Sequence, residues 1–251
     1  MRMNPSVLFT DFTSELQKRT YYLTEDSVRY IFFACMLKQD DSLDNYILEL
    51  PYDLSTVGTP IHIHISPGLA SPSIPKHNPQ QELDMYYHDK ANNESWCIEI
   101  KFHRNPLKKS AFAHTDAAGR IFNDIKRLQL IQHLPGHTIR RLFVYVTDDE
   151  MHNYYNVGSM AYNNKDYRHL LKLFYNSPLN TTQSFSFDKN RIPIPHFFLD
   201  SANDSFASHV NPLTINVKKV EDCSFITACP SFKMDSKTGN RFCHILVYEV
   251  I

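Results

Sequence analysis

The chain has 251 residues, 42% of them hydrophobic and 13% aromatic, which is enough to bury a sizeable core and excludes wholesale disorder. Its formal net charge of −1 excludes a uniformly basic, DNA-coating protein but not a locally basic cleft. The 5 cysteines, Cys35, Cys97, Cys223, Cys229 and Cys243, are odd in number and lack CxxC spacing, as expected of reduced thiols in a soluble cytoplasmic protein. No apolar run approaches the roughly 20 residues of a membrane span, and the N-terminal MRMNPSVLFT lacks a signal-peptide apolar region.

The first clear element is TEDSVRYIFFACMLKQ, from Thr24 to Gln39, which reads as a helix. Thr24 suits an N-cap, Glu25 and Asp26 suit the first turn, and Val28, Ile31, Phe32 and Cys35 follow helical spacing. NYILEL (Asn45–Leu50) and the strictly alternating IHIHI (Ile61–Ile65) read as strands, followed by a proline-rich loop over Ser66–Gln80. ELDMYY (Glu82–Tyr87) and WCIEIKF (Trp96–Phe102) read as two strands around a polar turn. Ser110–Leu134 reads as a long helix with a stripe of Ala118, Ile121, Phe122, Ile125 and Leu128, stopped by Pro135 and Gly136. RRLFVYVT (Arg140–Thr147) is a further strand. Beyond it, Lys165–Tyr175 suits a helix, and PLTINVKKV and RFCHILVYEVI suit strands.

Alternation on WCIEIKF puts Trp96, Ile98, Ile100 and Phe102 on one face and Cys97, Glu99, Lys101 and His103 on the other. On the preceding strand Glu82 and Asp84 share a face, and Leu83 and Met85 share the opposite one. A hairpin centred on Ala91 and Asn92 sets Asp84 across from Glu99 and Glu82 across from Lys101. Opposed carboxylates repel unless a cation or proton lies between them. A hard divalent metal bound by oxygen meets that need, and a nearby lysine can orient a water or stabilise charge developing on a phosphate.

This arrangement resembles the PD-(D/E)xK nuclease superfamily, with its restriction-endonuclease-like fold, over about Thr24–Thr147. ELDMYY would carry the motif's aspartate, Asp84, and CIEIKF its ExK half, Glu99 and Lys101; Leu83 stands where the motif has proline. The resemblance implies an α/β fold with a three-layer α/β/α core and a mixed central sheet over residues 1–150; residues 151–251, outside the resemblance, read as a C-terminal α+β extension packed on the core or as part of one single domain. It also implies Mg²⁺-dependent hydrolysis of DNA phosphodiesters, with Mn²⁺ as a substitute. Asp84, Glu99 and the carbonyl of Ile100 would bind the metal, Glu25 would complete a second-metal site or orient a metal-bound water, and Lys101 would position the attacking water. Glu49 is a weaker candidate for the same neighbourhood, with a strand-end surface charge as its simpler reading.

Positive charge gathers around this motif. Ile98–Arg141 holds nine basic and three acidic residues. Arg104, Lys108 and Lys109 are the candidates for phosphate contacts, whereas Lys126 and Arg127 read as solvated helix residues. A homodimer is expected by analogy with relatives that cut duplexes. Two alternatives stand beside the nuclease: a catalytically silent nucleic-acid-binding or assembly module of the same fold, and a zinc-dependent hydrolase using His62 and His64. Cys97 and His103 share a strand face but lie roughly 20 Å apart at strand rise, too far for a dyad. The sequence contains no GxSxG, Walker or GxGxxG motif.

Overall fold

The two strands expected around the polar turn lie inside a seven-stranded mixed sheet in a computed structural model of the chain. It describes residues 3–52, 61–62, 81–103, 113–132, 138–156, 167–203, 210–235 and 237–251. Among these, the helices are α1 (Pro5–Gln17), α2 (Glu25–Leu37), α3 (His114–Leu130), α4 (Asp149–Asn156), α5 (Tyr167–Tyr175) and α6 (His196–Ala202). The strands are β1 (Tyr46–Tyr52), β2 (Ile61–His62), β3 (Gln81–Asp89), β4 (Glu94–His103), β5 (Ile131–Gln132), β6 (Thr138–Asp148), β7 (Thr182–Phe187), β8 (Leu213–Ile226) and β9 (Phe242–Val250). The main sheet runs β1-β3-β4-β6-β9-β8-β7, and β2 pairs with β5 in a separate short sheet.

Neighbours in the main sheet are antiparallel except β4 and β6, which are parallel from Glu94/Thr138 to His103/Thr147. Parallel neighbours need a crossover, and α3 provides it. The segment beyond residue 150 contributes β7, β8 and β9, with β9 beside β6. Among the described residues no helix is long and apolar enough to cross a membrane.

Two apolar cores flank the sheet. On one side α1 and α2 bury Phe12, Leu16, Val28, Phe32 and Met36 against Trp96, Ile98, Ile100 and Phe102 of β4 and Leu142, Val144 and Val146 of β6. On the other, α3, α5 and α6 bury Ile121, Phe122, Phe174 and Phe198 against Cys97, Phe143, Tyr145 and Tyr248. β4 is therefore covered on both faces, and the face carrying Glu99 is not a solvated one.

α2 forms where its caps say it should. Thr24 Oγ1 accepts from the Ser27 amide, and the Ser27 side chain bonds back to the Thr24 amide. α1 lies outside the elements expected from the sequence, although Asn4 as N-cap, Pro5 in the first turn and buried Leu8, Phe12 and Leu16 carry its signal. α3 is shorter than expected: it ends at Leu130 because Ile131 turns extended and pairs with Ile61. Residues 110–112, Pro135 and Gly136 lie outside the described residues. Gly119 lets α3 approach α6 closely, since a Cβ there would stand 2.5 Å from the Phe198 carbonyl oxygen.

Candidate active site

The site begins where β3 and β4 stop pairing. Their ladder runs from Asp89/Glu94 to Met85/Ile98, the register that a turn about Ala91 and Asn92 requires. Asp84 and Glu99 are the next residues on each strand, one step past the last pair. There the Ile100 amide donates to Asp84 Oδ2 at 2.7 Å, so a side-chain carboxylate takes the place of a strand acceptor. Glu82 and Lys101, expected to oppose each other, lie beyond the ladder.

The neighbouring strand is irregular at the same level. β1 pairs with β3 on both sides of Glu49, through Leu48/Met85 and Leu50/Leu83, but Glu49 itself has φ of 53°. A left-handed backbone is unfavourable for glutamate and marks a locally strained strand. Side-chain alternation breaks here as well. Leu83 packs in the α3-side core with Tyr86, whereas Met85 packs in the α2-side core with Tyr87. The expectation that Leu83 and Met85 share a face is thus corrected, because the chain turns over at Asp84.

Glu99 and Lys101 meet α3 on the sheet's far face. Arg127 Nη2 lies 3.3 Å from Glu99 Oε1 and 2.5 Å from Asp124 Oδ1. Lys101 Nζ lies 3.7 Å from Asp124 Oδ2 and 3.6 Å from Glu25 Oε1. Glu25 opens α2, and its other oxygen accepts from the Phe102 amide at 3.5 Å. Arg29, one turn along, closes the network. Its Nη2 lies 2.9 Å from Asp84 Oδ1 and 3.2 Å from Glu25 Oε1, and its Nη1 lies 3.1 Å from Asp26 Oδ1.

Five carboxylates (Glu25, Asp26, Asp84, Glu99, Asp124) thus face three cations (Arg29, Lys101, Arg127). Burial is the strongest influence on both motif acids. It pushes Asp84 up from 3.8 to about 6; Arg29 and the Ile100 amide oppose this, and Asp124 and Glu25 add to it. Burial likewise holds Glu99 well above the usual carboxylate range, against Arg127 and with help from Asp84 and Asp124. Burial works against the Lys101 ammonium, but Asp124, Glu25, Glu99 and Asp84 outweigh it and raise its pKa. Lys101 is a cation at neutral pH.

Of the residues singled out in the sequence, Asp84, Glu99, Lys101, Glu25 and Ile100 come together. Glu49 is mostly exposed, with Oε1 4.0 Å from Arg29 Nη1. Arg104, Lys108, Lys109 and His64 lie outside the described residues. His62 pairs through its backbone with Gln132 in the short sheet. Arg127 is corrected from a solvated helix residue to a largely shielded partner of Glu99: its side chain is only 11% exposed. Asp124, Arg127 and Arg29 are the contributors that strand patterning misses. Asp124 follows Ile121 by three residues and precedes Leu128 by four, which places it on the apolar stripe of α3 and is its readable signal.

The motif acids suit a hard divalent cation in one respect. Asp84 and Glu99 are each more than nine-tenths buried, and the charge that burial and mutual repulsion disfavour is what such an ion stabilises. In the side-chain arrangement described, Arg29 and Arg127 take these carboxylates, and no group of three or more His, Cys, Asp or Glu among the described residues is set to hold a metal. No protein-family model matches the chain, and no curated protein or solved structure matches it either.

Proposed function

We propose that the protein is a metal-dependent nuclease of the restriction-endonuclease-like fold, hydrolysing DNA phosphodiester bonds. The observation that carries this reading is the meeting of Asp84, Glu99, Lys101 and Glu25 in one largely buried charge network, where β3 and β4 part. The order α2, β1, β3, β4, α3, β6 also follows the elements expected from the resemblance.

Asp84 and Glu99 would hold Mg²⁺, with Glu25 and the Ile100 carbonyl available to complete its shell. The ion, when bound, supplies charge to the phosphate oxygens and lowers the pKa of a bound water. Lys101, held as a cation by its carboxylate neighbours, donates hydrogen bonds to the attacking water or to a non-bridging phosphate oxygen. It does not take the water's proton. Glu25, with Oε1 3.6 Å from Lys101 Nζ, would accept it. Incubation with linear, circular and single-stranded DNA plus Mg²⁺ or Mn²⁺ tests this; cleavage that EDTA abolishes is the expected result, and no cleavage of any form overturns it.

One observation favours the silent module of the same fold. Arg29 and Arg127 already satisfy the two motif acids, as they would in a purely structural network. Nucleic-acid binding without cleavage under those conditions would select it.

A further inference from the structure

A cleft of about 250 Å³ opens between α2 and β1, with Asp84 and Met85 of β3 at its base. Asp26, Arg29, Tyr30 and Phe33 reach it from one face of α2, at spacings of three, four and seven residues. The Phe33 ring is held edge-on against Tyr46, with centroids 5.3 Å apart. Leu48 and Glu49 are consecutive on β1, as Asp84 and Met85 are on β3, and unbroken strands would turn one of each pair away. The left-handed backbone of Glu49 and the end of the β3–β4 ladder at Asp84 bring both members of each pair to the cleft. Its rim leaves two large apolar side chains in water, Tyr30 at 59% and Leu48 at 37% exposure.

We propose that this cleft receives an arginine side chain of a partner protein, its guanidinium stacked on Tyr30 and donating to Asp26 and Glu49. Three carboxylates and one guanidinium line the cleft, so its charge favours a second cation. The resident guanidinium, Arg29, is engaged below the rim by Asp84 at 2.9 Å and Glu25 at 3.2 Å. Asp26 and Glu49 converge on its Nη1, at 3.1 and 4.0 Å, yet their side chains stay more than half exposed and open to another donor. A guanidinium suits this pair because it is planar, stacks on an aromatic face and carries several donors for two carboxylates. Its aliphatic stem would lie along Leu48 and Phe33. The volume falls below the roughly 300–1,000 Å³ of sites for drug-sized ligands, which suits a single side chain. A nucleic-acid strand fits less well, since its phosphates would approach the two exposed acids. The inference does not rest on the nuclease reading and needs no metal.

Amide NMR titration of the full chain with N-acetyl-arginine N-methylamide, a peptide-borne arginine, tests this. Saturable shifts at Tyr30, Leu48 and Glu49 are expected. The citrulline analogue has the same planar shape without the charge and should bind more weakly. Free arginine should also bind more weakly, because its carboxylate meets the acidic rim. Tyr30→Leu keeps apolar surface but removes the ring, and should weaken binding about two- to fivefold, the size of an exposed cation–π contact. Glu49→Gln should weaken it as well, whereas Asp200→Asn, at an exposed acid on α6, should not. Trp96 fluorescence confirms that each variant is folded. No shift with the arginine probe, or equal binding of the citrulline analogue, overturns the proposal. Equal weakening by Asp200→Asn overturns it as a general charge effect, and tighter binding of free arginine overturns the protein source. Deoxycytidine monophosphate shifting these amides where the arginine probe does not would make the cleft a nucleotide subsite instead.

Discussion

The Ile100 amide donates to Asp84 Oδ2 at 2.7 Å, one step beyond the last β3–β4 pair, Met85 with Ile98. This bond both ends the hairpin ladder and fixes the carboxylate. Asp84→Asn keeps an acceptor for that amide and should leave the unfolding midpoint close to wild type. Asp84→Ala leaves a buried N–H without an acceptor and should cost about 1–3 kcal/mol. Urea unfolding followed by the single tryptophan, Trp96, which is fully buried, measures both.

Burial raises the Asp84 pKa from 3.8 to about 6 and raises Glu99 in the same direction. Between the unfolded and folded values the native state binds more protons than the unfolded chain. The stability these groups contribute is therefore full below the unfolded pKa and is lost as pH rises through the folded one. With EDTA present, the wild type minus Asp84→Asn difference should fall between pH 4 and pH 7, around the folded value of about 6. A difference that rises over that window would show that the ion pair with Arg29, not burial, dominates.

Arg127 supplies the direct counter-charge to Glu99, and the two side chains are largely shielded from solvent, at 11% and 6% exposure. Removing one member of a buried pair typically costs about 3–5 kcal/mol. Arg127→Ala should approach that loss, and the double variant Arg127→Ala/Glu99→Gln should recover most of it. A double-mutant cycle at pH 8 gives the coupling; additive effects would mean that the two side chains do not depend on each other.

Gly119 stands where α3 meets α6, and its missing Cβ would meet the Phe198 carbonyl oxygen at 2.5 Å and Ser201 Cβ at 2.8 Å. Helix propensity alone would make Gly119→Ala stabilising by about 1 kcal/mol. The clash reverses the sign, and forcing the helices apart should cost about 1–3 kcal/mol. The thermal unfolding midpoint decides which effect wins.

The hairpin register was legible because one polar turn and two strands of known spacing leave a single symmetric pairing, which brings Asp84 to Glu99. The α2 cap at Thr24 was legible for the same local reason. Local pattern says little about what covers a strand face, so Glu99 and Arg127 carry the same letters whether wet or buried. It also assumes unbroken alternation, which Glu49 and Asp84 interrupt with a left-handed residue and a side-chain acceptor. The β4–α3–β6 crossover that brings Asp124 and Arg127 over Glu99 is a tertiary contact, visible in sequence only as charges set on the apolar stripe of a helix.

The most direct test compares purified wild type, Glu99→Gln and Lys101→Met on supercoiled and linear DNA in Mg²⁺. Glu99→Gln is isosteric and leaves Arg127 paired with Asp124, so it should stay folded. Both variants should lose cleavage by about a hundredfold or more, as expected when electrostatic stabilisation of a transition state is removed, while their unfolding curves stay cooperative. Cleavage at the wild-type rate in either variant contradicts the assignment of Glu99 and Lys101 to the chemistry.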